Sequence, residues 1–146
     1  MLDKLEHGFM PINVYVDLSD FKLYMGDVGL LTMKSGMAQQ LILSPIEVDN
    51  LFLGSMAENY VAQEFHAKDY ALVYWKNDNT AELDFVIQKG NEIIPVEVKK
   101  GKRTRSASMR FFSEKYKTNY AIRISMKNFG FENNIRSVPL YAVFCV

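Results

Sequence analysis

Residues 82–99, ELDFVIQKGNEIIPVEVK, constrain this chain more than any other stretch. Gly90-Asn91 is a dipeptide of the kind that closes a two-residue β-hairpin, and it joins two strand-like runs of eight residues each. If Lys89 faces Glu92, counting outward fixes every cross-strand partner. Ile87 then faces Ile94, Phe85 faces Val96 and Leu83 faces Val98, all apolar and all on one face. The other face carries Val86 with Pro95, Asp84 with Glu97, and Glu82 with Lys99. A slip of one residue would bury the charges and expose the apolar set, so the register is strongly specified. Pro95 has no amide to give, but in this register it falls in a non-hydrogen-bonded pair, where none is needed.

The same count sets Asp84 opposite Glu97, with α-carbons about 4.5 Å apart. Like charges placed so are destabilising. Lys99, two residues beyond Glu97 on the same face, offsets part of the repulsion. A divalent cation offsets more, since Mg²⁺ is typically held by one or two carboxylates plus substrate phosphate. The expectation is a site for Mg²⁺ or Mn²⁺ formed by Asp84 and Glu97, with the Lys99 ammonium beside it. Such a metal activates water and polarises a phosphoryl oxygen, while the lysine orients that water or stabilises developing charge. The competing expectation is a plain charged strand face on which Glu82 and Lys99 make a surface pair.

Around the hairpin the pattern predicts further elements. Leu53, Met56, Ala57, Tyr60, Val61 and Phe65 recur at helical spacing, which predicts an amphipathic helix over 50–67. Residues 70–76 (YALVYWK) predict a strand. Residues 106–116 predict a helix with Ser106 as N-cap, 119–125 a strand, and 138–145 a last strand after a turn at 130–134. The expected domain therefore spans 50–146. It is α/β, with a mixed central sheet flanked by helices and an αβββαβ core. The connection from 92–99 to 119–125 is expected to be right-handed. Residues 1–49 look like a lead-in packed on this domain. Val14, Val16 and Leu18 give a weak strand signal there, Asp27-Val28-Gly29-Leu30-Leu31 a short helix, and Ser44-Pro45 a turn.

Other residues carry two readings each. Glu58, on the 50–67 helix, is a third carboxylate for the metal. Equally, Ser55-Met56-Ala57-Glu58 matches a capping box. Lys100, Lys102, Arg103, Arg105 and Arg110 form a basic run directly after Lys99 with no acidic residue among them. That run suits nucleic-acid phosphates, or it is a solvated loop leading into a helix. Arg123 is set to reach a phosphate or to pair with a carboxylate inside the fold. Trp75 is expected in the core, His7 and His66 on the surface. Cys145 is expected to be a small buried hydrophobe.

The formal net charge is zero, so global charge argues for neither nucleic acid nor membrane. A single cysteine fits a reducing cytoplasm, and no Cys/His spacing suggests zinc. No stretch approaches the roughly 18 apolar residues of a membrane span, and MLDKLEHGFMP lacks a signal-peptide core.

The stretches FKLYMGDVGLL, GSMAENYVAQEF, YWKNDNTAELDFVIQKGNEIIPVEVKKGKRTRSASMRFF, AIRIS and VPLYAVF occur in that order over roughly residues 20–144. Together they resemble the C-terminal domain of unknown function found in a large group of bacterial and archaeal AAA+-type ATPases. ELDFVI followed by PVEVK is the most specific part. The resemblance implies a PD-(D/E)XK, restriction endonuclease-like fold. In it Asp84 matches the strand aspartate, Glu97 and Lys99 the ExK pair, and Glu58 the first-helix glutamate. No G-x-x-x-x-G-K-[ST] occurs, so no ATP site is expected in this chain, which looks like a C-terminal piece or a stand-alone derivative. Three functions follow as expectations. The first is a Mg²⁺-dependent nuclease. The second is a non-catalytic module that binds nucleic acid or docks on an ATPase domain. The third is a homo-oligomeric assembly domain that pairs through its apolar C-terminal strand.

Overall fold

The computed structural model describes residues 1–37, 50–77, 81–99 and 107–146. The turn expected at Ser44-Pro45 and the N-cap expected at Ser106 lie outside them. The strands are β1 (Leu2–Leu5), β2 (Val16–Lys22), β3 (Val73–Lys76), β4 (Glu82–Lys89), β5 (Glu92–Lys99), β6 (Ala121–Ser125), β7 (Gly130–Glu132) and β8 (Ile135–Pro139). The helices are α1 (Val28–Lys34), α2 (Asn50–Ala67) and α3 (Ala107–Tyr116). The strands form one mixed eight-stranded sheet in the order β2-β1-β3-β4-β5-β6-β8-β7. The β1–β3, β5–β6 and β6–β8 pairs are parallel and the others antiparallel. No helix among the described residues is long and apolar enough to cross a membrane.

The hairpin register is the expected one from the turn to Phe85. Lys89 pairs with Glu92, Gln88 with Ile93, Ile87 with Ile94, Val86 with Pro95, and Phe85 with Val96. Gly90 takes φ +60°, a backbone that glycine adopts without a Cβ penalty. Successive residues of β4 point to opposite faces, and each face is covered. Phe85, Ile87, Ile94, Val96 and Val98 pack in one core with Ala57, Val61 and Phe65 of α2. Val86 packs in a second core with Trp75, Met109 and Phe112, under α3. The hairpin is therefore sandwiched over its middle, where Glu97 is buried and Asp84 half-buried, while Glu82 and Lys89 at the ends of β4 are exposed.

Helix α2 forms because Ala57, Val61 and Phe65 repeat every four residues and line one buried stripe. Its start at Asn50 puts Ser55 and Glu58 well inside the helix, so they are not a capping box at its N-terminus. Asp27 caps α1 by accepting from the Leu30 amide at 2.9 Å, as the Asp27–Leu31 pattern suggested.

Three features depart from the sequence expectation. Strand β1 was not anticipated. Its four residues bury Leu2 and Leu5 in different cores, because positions three apart on a strand point to opposite faces of the sheet. The 130–134 stretch holds strand β7, and the tight bend to β8 falls on Asn133 and Asn134, both at positive φ (50° and 58°). The last strand ends at Pro139, and Leu140–Cys145 is 3₁₀-helical. That run lacks a period-two pattern. It buries Ala142 and Val143 together and leaves Tyr141, Phe144 and Cys145 exposed, so Cys145 is not the buried hydrophobe expected.

Two glycines test this packing with opposite signs. A Cβ on Gly8 would meet Phe112 at 2.7 Å and Tyr116 at 2.8 Å, which locks the N-terminal segment against α3. Gly54 lies inside α2 with nothing within 4 Å. In urea unfolding, Gly8→Ala is expected to lower stability by about 1–3 kcal/mol. Gly54→Ala is expected to raise it by about 1 kcal/mol.

Candidate functional site

The antiparallel order of β3, β4 and β5 brings Asp84 and the Glu97–Lys99 pair to one end of the sheet, and a bulge sets the geometry there. Val73 pairs with Val86, but two residues on, Trp75 pairs with Leu83, three residues back. Strand β4 therefore carries one extra residue across Asp84-Phe85. Leu83 consequently joins Val86 in the core under α3, and not Phe85 and Val98 as simple alternation implies. The backbone pairing of β4 with β5 runs only to Phe85 and Val96. Two residues further, the Val98 amide donates to Asp84 Oδ2 at 2.7 Å. The aspartate carboxylate continues a ladder that the bulge interrupts. The simple face-to-face Asp84–Glu97 pair of the sequence count is thereby modified.

Burial pushes the Asp84 carboxyl up to about 7, with Glu58 the next cause and Glu97 a smaller one. The Val98 amide and Lys99 oppose this by favouring the ionised form. Glu58 of α2 and Glu97 and Lys99 of β5 are thus all within electrostatic reach of Asp84. The Glu58 carboxylate accepts from Tyr24 Oη at 3.2 Å. Burial raises the Tyr24 phenol, and Glu58 and Asp84 raise it further. Tyr24 was not singled out in the sequence, where an aromatic in FKLY gives no sign of its partner.

Glu97 is only 4% exposed. Its Oε1 accepts from Lys99 Nζ at 2.9 Å. Its Oε2 is buried with no hydrogen-bond partner. An unsatisfied buried carboxylate oxygen is costly and asks for a cation or donor. The Glu82–Lys99 surface pair does not form, because Glu82 pairs with Lys22 across the sheet.

Two carboxylates plus an ordered ammonium fit Mg²⁺ or Mn²⁺, ions that keep several waters and need few protein ligands. The orphaned Glu97 oxygen and the near-neutral Asp84 are the observations behind that fit. Among the described residues, however, no three His, Cys, Asp or Glu side chains gather as a metal-holding group. Glu58 Oε2 accepts from Tyr24, and the Glu58 charge helps raise the Asp84 carboxyl.

Of the basic run, Lys100, Lys102, Arg103 and Arg105 lie outside the described residues. Arg110 is exposed and pairs with Glu114 one turn on, Nε to Oε1 2.8 Å, a solvent-screened surface contact. Arg123 is buried beside Glu97 in the β5–β6 register. Trp75 is in the core, as expected.

A family model described as "Domain of unknown function (DUF4143)" matches residues 53–143. No curated protein and no solved structure matches the chain.

Asp84 has a pH signature. Its folded value near 7 lies above the ordinary 3.8, so its contribution to stability is full below about pH 4 and is lost as pH rises through 7. The gap corresponds to at most about 4 kcal/mol. Melting temperature followed from pH 4 to pH 8 without divalent cations should fall across that window. Asp84→Asn, which keeps an acceptor for Val98, should flatten the fall. A variant curve parallel to the wild type would place the titration elsewhere.

Proposed function

We propose a function from the residues themselves, since the chain belongs to the DUF4143 family and that family's description assigns none. The domain is a divalent-metal-dependent nuclease of the PD-(D/E)XK kind, acting on a nucleic-acid phosphodiester. One observation carries this assignment. A buried carboxylate oxygen of Glu97 has no partner, beside an aspartate whose carboxyl burial pushes up to about 7 and next to a lysine.

The roles divide by residue. Asp84 and Glu97 hold Mg²⁺ or Mn²⁺, and Val98 fixes Asp84 Oδ2 so that the carboxylate does not rotate away. The bound ion supplies Lewis-acid polarisation of a phosphoryl oxygen and lowers the pKa of water. Lys99, held by Glu97, presents an ammonium to the attacked phosphate. Glu58 and its Tyr24 partner set the local negative field that favours a cation over an empty site. The likeness of ELDFVI and PVEVK to the AAA+-associated domain supports the same assignment. It adds an ATPase domain as the proposed partner.

The absence of a three-carboxylate group among the described residues favours a second reading, a non-catalytic module that binds nucleic acid or docks on an ATPase. Melting temperature and cleavage separate the two. Millimolar Mn²⁺ should stabilise the wild type, by about 2.7 kcal/mol at a hundred times Kd, and leave Asp84→Ala unmoved. Labelled single- and double-stranded DNA and RNA should be cut with Mn²⁺. Lys99→Ala should slow cutting on the order of 10²-fold or more. Neither metal stabilisation nor cutting would give the second reading the field, and cutting that survives Lys99→Ala would mean another site does it.

A further inference from the structure

On the α3 side of the sheet, a groove of about 1100 Å³ runs between α3 and strands β6, β8 and β7. Arg123 of β6 lines it. The side chain is 9% exposed, and its Nε is buried with no hydrogen-bond partner. Glu97 is its register neighbour on β5, yet Glu97 engages Lys99, and no ion pair reaches Arg123 among the described residues. The groove is also lined by Lys127, Asn134 and Ser137, and by Ser113 and Thr118, whose hydroxyls bond to each other. Its two glutamates do not meet the guanidinium in an ion pair. Glu114 is taken by Arg110, and Glu132 sits on the exposed β7 edge.

A guanidinium stays charged at any working pH, so it cannot relieve burial by losing a proton. Glu97 beside it makes no ion pair with it, so the buried Nε–H is left without an acceptor, which is costly. The planar fork matches the oxygens of a phosphoryl group, and the hydroxyl of Ser137, its register neighbour on β8, suits a remaining oxygen. We propose that Arg123 anchors an oxyanion site in this groove that takes a phosphoryl group, either a free phosphate ester or a backbone diester. Binding needs no divalent cation. It is therefore separable from the metal chemistry assigned to Asp84 and Glu97, and it stands or falls without it.

The test is titration of the whole chain, in EDTA, with three probes at matched ionic strength. These are inorganic phosphate, acetate, and a single-stranded DNA 12-mer lacking terminal phosphates. Calorimetry and melting temperature are both read. Phosphate or the 12-mer should bind the wild type, and Arg123→Met should weaken that binding roughly ten-fold or more. Arg123→Lys should recover part of it, since charge returns without the fork. Phosphate alone would assign a free ester, and the 12-mer as well would assign a backbone diester. Should Arg123→Met unfold, Ser137→Ala and Lys127→Ala, both on the groove wall, should each weaken phosphate. Equal binding of acetate, binding indifferent to all of these changes, or no binding by the wild type would overturn the proposal.

Discussion

The hydrogen bond from the Val98 amide to Asp84 organises one end of this sheet. Strand β4 bulges against β3, its backbone pairing with β5 ends at Phe85–Val96, and beyond that point a side-chain carboxylate takes the place of a backbone acceptor. Buried ladder amides must find acceptors, and Asp84 supplies one for Val98. The consequence is chemical. Asp84 is drawn into a low-dielectric position next to Glu58 and Glu97, where a carboxylate without a cation favours its proton.

The rest of the scaffold holds that arrangement still. Helix α2 presents an apolar stripe to the sheet and polar side chains to the N-terminal segment. Asn59 clamps residue 25 through both its backbone groups, at 2.7 and 3.0 Å, and Gln63 accepts from Val28 at 3.1 Å. Tyr24, next in line, is thereby delivered to Glu58. On the other face, Trp75 and Phe112 meet edge to face, with ring centroids 5.2 Å apart, and seat α3 over the hairpin. Each charged group of the site stands on a helix or strand with a packed core behind it, which favours a fixed geometry.

The hairpin was legible because a two-residue turn and period-two alternation over-determine a register. Every pair from Lys89–Glu92 to Phe85–Val96 follows from the Gly90-Asn91 bend alone. The α2 helix was legible for the analogous reason at a period near four. The bulge was not, because it depends on how β3 meets β4, and a strand's own sequence does not carry its neighbour's register. The same blindness hid the outcome for Leu83, which alternation sends to the wrong core. Strand β1 was missed because four residues cannot show a period, and the 140–145 turn because an apolar run without alternation fits strand and helix alike. That Asp84, Glu97 and Lys99 gather at one end of the sheet was legible from their spacing. The Tyr24 contact was not, being a meeting of segments 34 positions apart.

Carbon-13 NMR of the aspartate side chains observes the protonation of Asp84 directly. Assigned by its absence in Asp84→Asn, the Asp84 Cγ resonance should titrate with a midpoint near pH 7 in metal-free protein. Saturating Mg²⁺ should carry that midpoint down by two or more units, on the order expected for an opposite charge in contact. A midpoint near 4 without metal, or one that Mg²⁺ leaves in place, would contradict the site assigned to Asp84.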